Sequence, residues 1–316
     1  MKDIINELEE MSLTTQSEDR LDSKEIFFDD ESLDDILYGT GQGKGPTMAN
    51  LFRKGQFFVD KIVAAYGAGR AEDLICSAHD LCSSGEELSI EMNRTLVEVM
   101  CQFVPTCPYP VMKYDILPLG PLLQKLWQDA LLRDEKDLIK KTGFVLSHWC
   151  ENQGLYQESR EVLGRLKLLY RDLANQPEEA GTVNGIGFTY VLEGKWQEAI
   201  PFFEEAALAF NELRISFRYA NARCNYWTCR FELGDMGEID ETEKELKELS
   251  ATLYGEGRWH ERKPLILRAK LEEKRGDIDK AILLVRQAIE VTLGGETHYS
   301  DFDGEYLEQL RNRLEE

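Results

Sequence analysis

The sequence predicts an all-α protein, a right-handed superhelical solenoid of antiparallel helix pairs with a helical N-terminal part. The first observation is that turn glycines recur at intervals of 40, 40 and 42 residues, at Gly154, Gly194, Gly234 and Gly276. The second is that a segment with helical apolar periodicity precedes and follows each of them, without strand-like alternation. Because one helix pair cannot bury its apolar face alone, recurring pairs predict a stacked array.

The clearest unit is GTVNGIGFTYVLEGKWQEAIPFFEEAALAF, around Gly194. Its spacing, G-x2-Y-x3-G-x4-A-x3-F-x2-A, is formed by Gly187, Tyr190, Gly194, Ala199, Phe203 and Ala206. Small residues let two helices approach closely, and the aromatic side chains fill the space beside them. The unit at Gly276 keeps this register, whereas the unit at Gly234 has Glu243 where a large apolar residue is expected.

This spacing resembles the tetratricopeptide repeat, over about residues 140–293. Three features depart from that family. The usual unit is about 34 residues long, Val183 stands where a large aromatic residue is usual, and Asn211 lies near the place of the helix-ending proline. In their longer units, peptide-sensing regulators of bacterial quorum-sensing systems and the cargo-binding repeats of kinesin light chains are similar. The resemblance implies a protein that binds other molecules.

We expect an acidic, largely disordered segment and linker at residues 1–46. Residues 1–40 carry 13 acidic residues against Lys2, Arg20 and Lys24, and GTGQGKGP follows as a flexible linker. Apolar residues among the acids predict a segment that folds on binding, with a solvated tail as the alternative. Its predicted anchors are Phe27, Phe28, Leu33, Ile36 and Leu37.

Three further regions follow the linker. Residues 47–104 have helical periodicity and form the N-terminal helical region, either as divergent repeats or as a separate bundle. Five prolines between positions 105 and 121 predict an irregular connection at 105–120. Residues 121–316 form the repeat array, which ends in a polar closing helix at 302–315.

In such an array the first helix of each unit lines a concave groove. Register from the turn glycines places ten side chains there: Lys141, His148, Asn152, Asn184, Phe188, Asn221, Asn225, Thr228, Lys263 and Lys270. An Asn amide pairs with both the N–H and the C=O of an extended peptide. The alternative is that the Asn residues cap turns or face water. The inward lysines lie at the two ends of the array, away from the Asn residues, so no C-terminal carboxylate ligand is predicted.

A local basic run, Arg214, Arg218 and Arg223, lies near the middle of the array. It is a candidate docking place for an acidic segment, including the protein's own residues 18–35. This contact would be autoinhibitory, and it is a hypothesis that the groove itself does not require.

The formal net charge of -22 argues against direct nucleic-acid and anionic membrane partners. It favours a basic partner or peptide, with simple solubility as the alternative reading. We find no apolar run long enough to span a membrane, and MKDIINELEEM lacks the features of a secretory signal. Seven cysteines, several in apolar helical stretches, fit a reducing compartment, so a cytoplasmic protein is predicted.

The sequence predicts no metal site and no cofactor. Cys76, His79 and Cys82 lie at i, i+3 and i+6 on one predicted helix, with Cys101 and Cys107 further along. They are zinc ligands in type, but they lack the C-x2-C spacing of recognisable zinc sites, and cysteines are commonly buried in cores. The glycines before Pro46 do not form a phosphate-binding loop.

The predicted function is therefore a protein- or peptide-binding adaptor or scaffold that uses the concave groove, with the acidic segment as a second interaction element. One alternative is a peptide-responsive regulatory sensor, because small rotations between units add up along a solenoid. The other is an enzyme with a Cys/His site in residues 76–107, which the sequence disfavours. The partner is another protein or an extended peptide.

Overall fold

A computed structural model describes residues 48–106, 116–254, 258–293 and 298–315, and within these ranges the chain is helical and contains no strand. Contacts divide the chain into Met1–Lys54 and Gly55–Glu316, and all the packing described below lies in the second unit. The helices pack in sequence order as antiparallel pairs, so the prediction of an all-α repeat array is confirmed.

The described residues form thirteen α-helices, which we number along the chain. Two short 3-10 turns, Leu117–Leu119 and Arg258–Glu261, precede α4 and α11. The helices are α1 Met48–Gly67, α2 Ala71–Ser83, α3 Ile90–Thr106, α4 Gly120–Leu132, α5 Lys136–Asn152, α6 Tyr156–Asp172, α7 Gln176–Leu192, α8 Trp196–Glu212, α9 Ser216–Glu232, α10 Ile239–Tyr254, α11 Arg262–Arg275, α12 Ile278–Leu293 and α13 His298–Glu315.

The middle of the array is built from half-units of equal length. Helices α5 to α9 each span 17 residues, and each begins 20 residues after the previous one. The turns between paired helices contain Gly154, Gly194 and Gly234, whose φ angles are positive. The intervening turns place Asp134, Ala174 and Arg214 in the same left-handed region, at φ of 54° to 59°. A 40-residue repeat is therefore two 20-residue halves, of which only one half is marked by glycine.

Odd-numbered and even-numbered helices form two layers. We call α3, α5, α7, α9, α11 and α13 the A layer, and the even-numbered helices the B layer. Direct packing within the A layer joins α3 to α5, α7 to α9 and α9 to α11. The remaining packing is mostly between consecutive helices, which places each B helix between two A helices.

The N-terminal helices follow the same alternation. Helix α2 packs against α4, and α3 packs against α5. Helix α3 runs through Pro105 to Thr106. At the other end of the predicted connection, α4 begins at Gly120, where Pro121 needs no backbone partner in the first turn. Of that connection, residues 107–115 lie outside the described residues, and the four-part domain division stays a prediction.

Packing between α7 and α8 follows the sequence pattern. Ala199, Phe203 and Ala206 on α8 are fully buried. A Cβ placed on Gly187 would lie 2.9 Å from Phe203 Cε1, so only glycine fits at this crossing. The small residues thus allow α7 and α8 to approach closely, as the repeat spacing predicts.

The array closes with α13, which begins at His298, four residues before the predicted start. Helix α13 packs on α12, and its side chains also bond to α11. Arg262 forms a bidentate ion pair with Asp303, with N–O distances of 2.6 and 2.7 Å. Helix α13 therefore takes the place of one more A helix, and its outward residues are polar, except for Leu314.

Candidate functional site

Polar side chains join neighbouring A helices at intervals of about 40 residues. We call each such cross-helix contact a rung. Lys141 on α5 pairs with Glu98 on α3, and Arg218 on α9 pairs with Glu178 on α7 at 2.8 Å. Lys270 on α11 pairs with Glu232 on α9 at 2.6 Å. Several inward positions predicted from the sequence are thus occupied by residues that hold adjacent repeats together.

The central rungs are formed by Asn amides and one lysine. Asn225 Nδ2 on α9 donates to Asn184 Oδ1 on α7 at 3.2 Å. Lys263 Nζ on α11 donates to Asn225 Oδ1 at 2.7 Å and to Asn221 Oδ1 at 3.4 Å. We call these four residues the amide network. The structure brings together three predicted Asn residues from two repeats, as register implied.

The network corrects one sequence-based expectation. The inward lysines were expected at the ends of the array, away from the Asn residues, yet Lys263 lies directly on Asn225. The reason is that α11 follows a longer connection, which shifts it so that its first turn lies beside the middle of α9. A cation and amides are therefore combined at one place on the A layer.

Lys263 carries a charge that no carboxylate balances. Within the described ranges, its ammonium is within ion-pair distance of no acidic group, and its hydrogen-bond partners are neutral amides. The side chain is half-buried, and burial lowers its pKa, with the neighbouring Arg262 lowering it further. In a chain with net charge -22, such a cation is an electrostatic vacancy for an anionic group.

The remaining predicted groove residues are used locally. His148 Nδ1 lies 3.3 Å from Glu151 Oε2 and packs edge-on against Phe144. Thr228 Oγ1 donates to the carbonyl of Cys224, four residues earlier. Phe188 packs against the core between α7 and α9. Asn152 is the last residue of α5 and is half-buried.

The basic run at the middle of the array does not form a single free patch. Arg218 pairs with Glu178, and Arg223 Nε donates to Glu245 Oε1 at 2.6 Å. Arg223 also lies over the Tyr226 ring. Arg214 is exposed in the turn between α8 and α9. Two of the three arginines are thus already engaged by carboxylates of the array.

The predicted tail anchors, Phe27, Phe28, Leu33, Ile36 and Leu37, lie outside the described residues. Contact between this segment and the basic run therefore stays a hypothesis.

The Cys/His cluster of the enzyme alternative lies on α2, with Cys76 and His79 exposed and Cys82 half-buried. Within the described parts of the chain, no three His, Cys, Asp or Glu residues come together as metal ligands. Burial raises the pKa of Cys82, and it raises that of Cys101 on α3 to about 12. Neither of these two thiols is an activated nucleophile at neutral pH. Cys107 lies outside the described residues.

A notch of about 240 Å³ opens between α4, α5 and α6. Its floor is formed by Trp127, Leu146 and Val162, and its rim carries Glu158 and Arg165 among other polar residues. Such a space has room for a benzene-sized group. Its rim combines charges of both signs and does not indicate a single ligand class.

Comparisons with known proteins show similarity in helical arrangement at low identity. No protein-family model matches the chain, and no curated protein matches its sequence. The crystal structure of BtubC (BKLC) from P. vanneervenii has a TM-score of 0.49 and 15% identity, covering 80% of this chain and 94% of that one.

A putative kinesin light chain from Podosopora anserina, with nearly identical TPR-like repeats, has a TM-score of 0.40 and 14% identity. That similarity covers 58% of this chain and 88% of that one. No helix among the described residues has the length and apolarity needed to cross a membrane.

Proposed function

We propose that this protein is a scaffold that binds an extended peptide segment of a partner protein on the A layer, at the amide network. The observation that carries the proposal is the half-buried Lys263 ammonium, which is held by amide oxygens and has no carboxylate partner among the described residues. An acidic side chain of the bound peptide would supply the missing counter-charge.

The hydrogen-bonding state of the network indicates which peptide atoms would bind. The carbonyl oxygens of Asn184, Asn221 and Asn225 already accept hydrogen bonds within the protein. The amide N–H groups of Asn184 and Asn221 make no side-chain hydrogen bond in the described structure and belong to half-buried residues. The network therefore offers donors to peptide carbonyls, rather than the paired donor and acceptor expected from the sequence.

Local charge supports an acidic ligand, although the whole chain is acidic. Helix α11 carries six basic and two acidic residues, and α9 carries three basic and one acidic. Helix α8 of the B layer carries four acidic residues and no basic ones. The two layers thus differ in sign, and the basic partner favoured by net charge fits the A layer poorly.

The test is a selection from a displayed library of random peptides against the full chain. Selected sequences should be enriched in Asp and Glu, and Lys263→Met should weaken their binding about 10-fold or more, since a charged hydrogen bond is lost. Asn184→Ala should cost about fivefold, the value of one neutral hydrogen bond. Lys270→Met is the matched control, because the Lys270 charge is already paired with Glu232.

Equal binding of the selected peptides to wild type and Lys263→Met would refute this site. So would an absence of acidic residues from the selected peptides. Binding by residues 1–46 is assigned separately, by repeating the measurement with the acidic segment removed.

A regulatory sensor is the second candidate function. It is favoured by one specific observation, a single junction of the A layer that has no rung. An enzyme is not proposed, because the raised thiol pKa values and the absence of a metal-ligating group among the described residues offer it no chemistry.

A further inference from the structure

Polar rungs connect the A helices at every junction from α3 to α13 except one. The junctions α3–α5, α7–α9 and α9–α11 contain the rungs described above. At α11–α13, Tyr306 Oη donates to Glu273 Oε2 at 2.6 Å, and Arg313 pairs with the same carboxylate. Between residues 136–152 of α5 and 176–192 of α7, both fully described, the structure contains no hydrogen bond, ion pair or ring contact.

The residues of α5 near this junction satisfy one another instead. His148 contacts Phe144 and Glu151 on its own helix, and the second oxygen of Glu151 accepts from Ser159 on α6 at 3.1 Å. Across the junction, Asn184 turns the other way and accepts from Asn225. The position one repeat before Asn184, where another amide would continue the network, holds Phe144.

Direct helix packing shows the same contrast. The A helices α3 and α5 pack directly, as do α7 and α9, and α9 and α11, whereas α5 and α7 are held mainly through α6, which packs against both. In a stack of repeats each unit touches only its neighbours, so the stiffness of a junction depends on the contacts across it. A junction that lacks A-layer contacts resists rotation less than its neighbours.

We infer that the α5–α7 junction is the hinge of the array, about which the helices up to α5 and the helices from α7 onward rotate relative to each other. Helix α6 acts as the strap of this hinge. The amide network begins at Asn184, on the C-terminal side of the hinge, and α5 lies on the other side. The inference stands on geometry alone and does not depend on the proposed peptide site.

The test compares two matched distances in the full chain by double electron–electron resonance. Spin labels are introduced as non-canonical amino acids, which leaves the native cysteines unmodified. Lys136, Gln176 and Ser216 are the exposed first residues of α5, α7 and α9, so the pairs 136/176 and 176/216 span equivalent junctions. The 136/176 distribution should be about twice as broad as the 176/216 distribution, because fewer contacts restrain it. Equal widths, or a narrower 136/176 distribution, would overturn the hinge.

A second variant tests the cause. Phe144→Asn places an amide where a rung to Asn184 is missing, and it should narrow the 136/176 distribution towards that of 176/216. Phe144→Ala is the control, which removes the ring without adding a rung and should leave the distribution broad. If Phe144→Asn narrows the distribution no more than Phe144→Ala does, the missing rung is not the reason for the flexibility. Should the variants fail to fold, the comparison of wild-type widths still decides the inference.

Discussion

The unit around Gly194 and the unit around Gly234 occupy successive places in the array but are packed by different chemistry. In the first, α7 and α8 meet through Gly187, Ala199 and Phe203, and the contact is apolar and close. In the second, Glu243 stands 40 residues after Phe203 and is buried at the junction of α10 and α11. Its carboxylate pairs with Lys247 at 2.7 Å and with Arg275 at 2.6 Å.

The second unit also uses aromatic and cationic side chains where the first uses small residues. Arg223 lies 4.4 Å from the centre of the Tyr226 ring and pairs with Glu245 on α10. Gly237, at φ 61°, lies close to Trp227 in the longer turn. Repeat register is therefore compatible with either close apolar packing or ion pairs. The choice determines how each unit responds to mutation and to pH.

Truncation of the apolar unit should have the largest effect on stability. Phe203→Ala removes a fully buried ring, and we expect a loss of about 3–5 kcal/mol because the cavity is only partly refilled. In a repeat array the loss should be greatest locally. Hydrogen exchange should therefore accelerate in α7 and α8 more than in α11 and α12. A uniform change along the chain would argue against nearest-neighbour coupling.

Neutralisation of the ionic unit should have a smaller effect that depends on pH. Glu243→Gln should cost roughly 1–3 kcal/mol at pH 7, since Arg275 and Lys247 lose a charged partner. Hydrogen bonds from Lys247 and Arg275 lower the pKa of Glu243 to about 2.

The pH dependence follows from the lowered pKa of Glu243. Its stabilising contribution is present above the unfolded-state pKa of about 4.3 and is lost as the pH falls towards 2. Urea unfolding at pH 7 and pH 3 should show the variant and the wild type converging at the lower pH. An unchanged difference between them would contradict the assignment.

A pair of alanine substitutions should have opposite signs. Gly194→Ala forces a Cβ into the left-handed region at φ 75° and should cost about 1 kcal/mol, although its Cβ would meet no atom within 4 Å. Gly164→Ala lies within α6, also with no atom near its Cβ, and should stabilise by about 0.5–1 kcal/mol. Thermal unfolding of the two variants checks the contrast. Destabilisation by both would mean that the two sites differ in packing rather than in backbone conformation.

The smallest effect is expected at a turn without glycine. Ala174 adopts φ 54°, so Ala174→Gly relieves backbone strain but increases the entropy of the unfolded chain. The two terms oppose each other, and we expect a net change below about 0.5 kcal/mol in thermal unfolding. A loss of more than about 1 kcal/mol would show that the Ala174 methyl group contributes packing of its own.

Much of the fold was predictable because glycine marks one turn in each 40-residue unit. The other left-handed turns carry Asp134, Ala174 and Arg214, residue types that occur in any helix, so the 20-residue half-unit gave no compositional signal. The closing helix was predicted from polarity alone, and its start was placed four residues late.

The candidate site was predictable in part. Register from the turn glycines placed Asn184, Asn221 and Asn225 on one side, and the structure brings them together. The sequence did not show that their carbonyls are already occupied, nor that Lys263 joins them. Both depend on how α9 and α11 are offset in space, which the length of the intervening connection does not reveal. The missing rung at α5–α7 was invisible for the same reason.

The most direct test of the account is a double-mutant cycle between Lys263 and the acidic residue of a selected peptide. Four dissociation constants are measured, with Lys263 or Met in the protein and Glu or Gln in the peptide. The account predicts a coupling energy of about 1.5–3 kcal/mol, because the charge-assisted contact forms only when both partners are present. Additive effects, with a coupling energy near zero, would show that the acidic residue binds elsewhere and would contradict the assignment of Lys263.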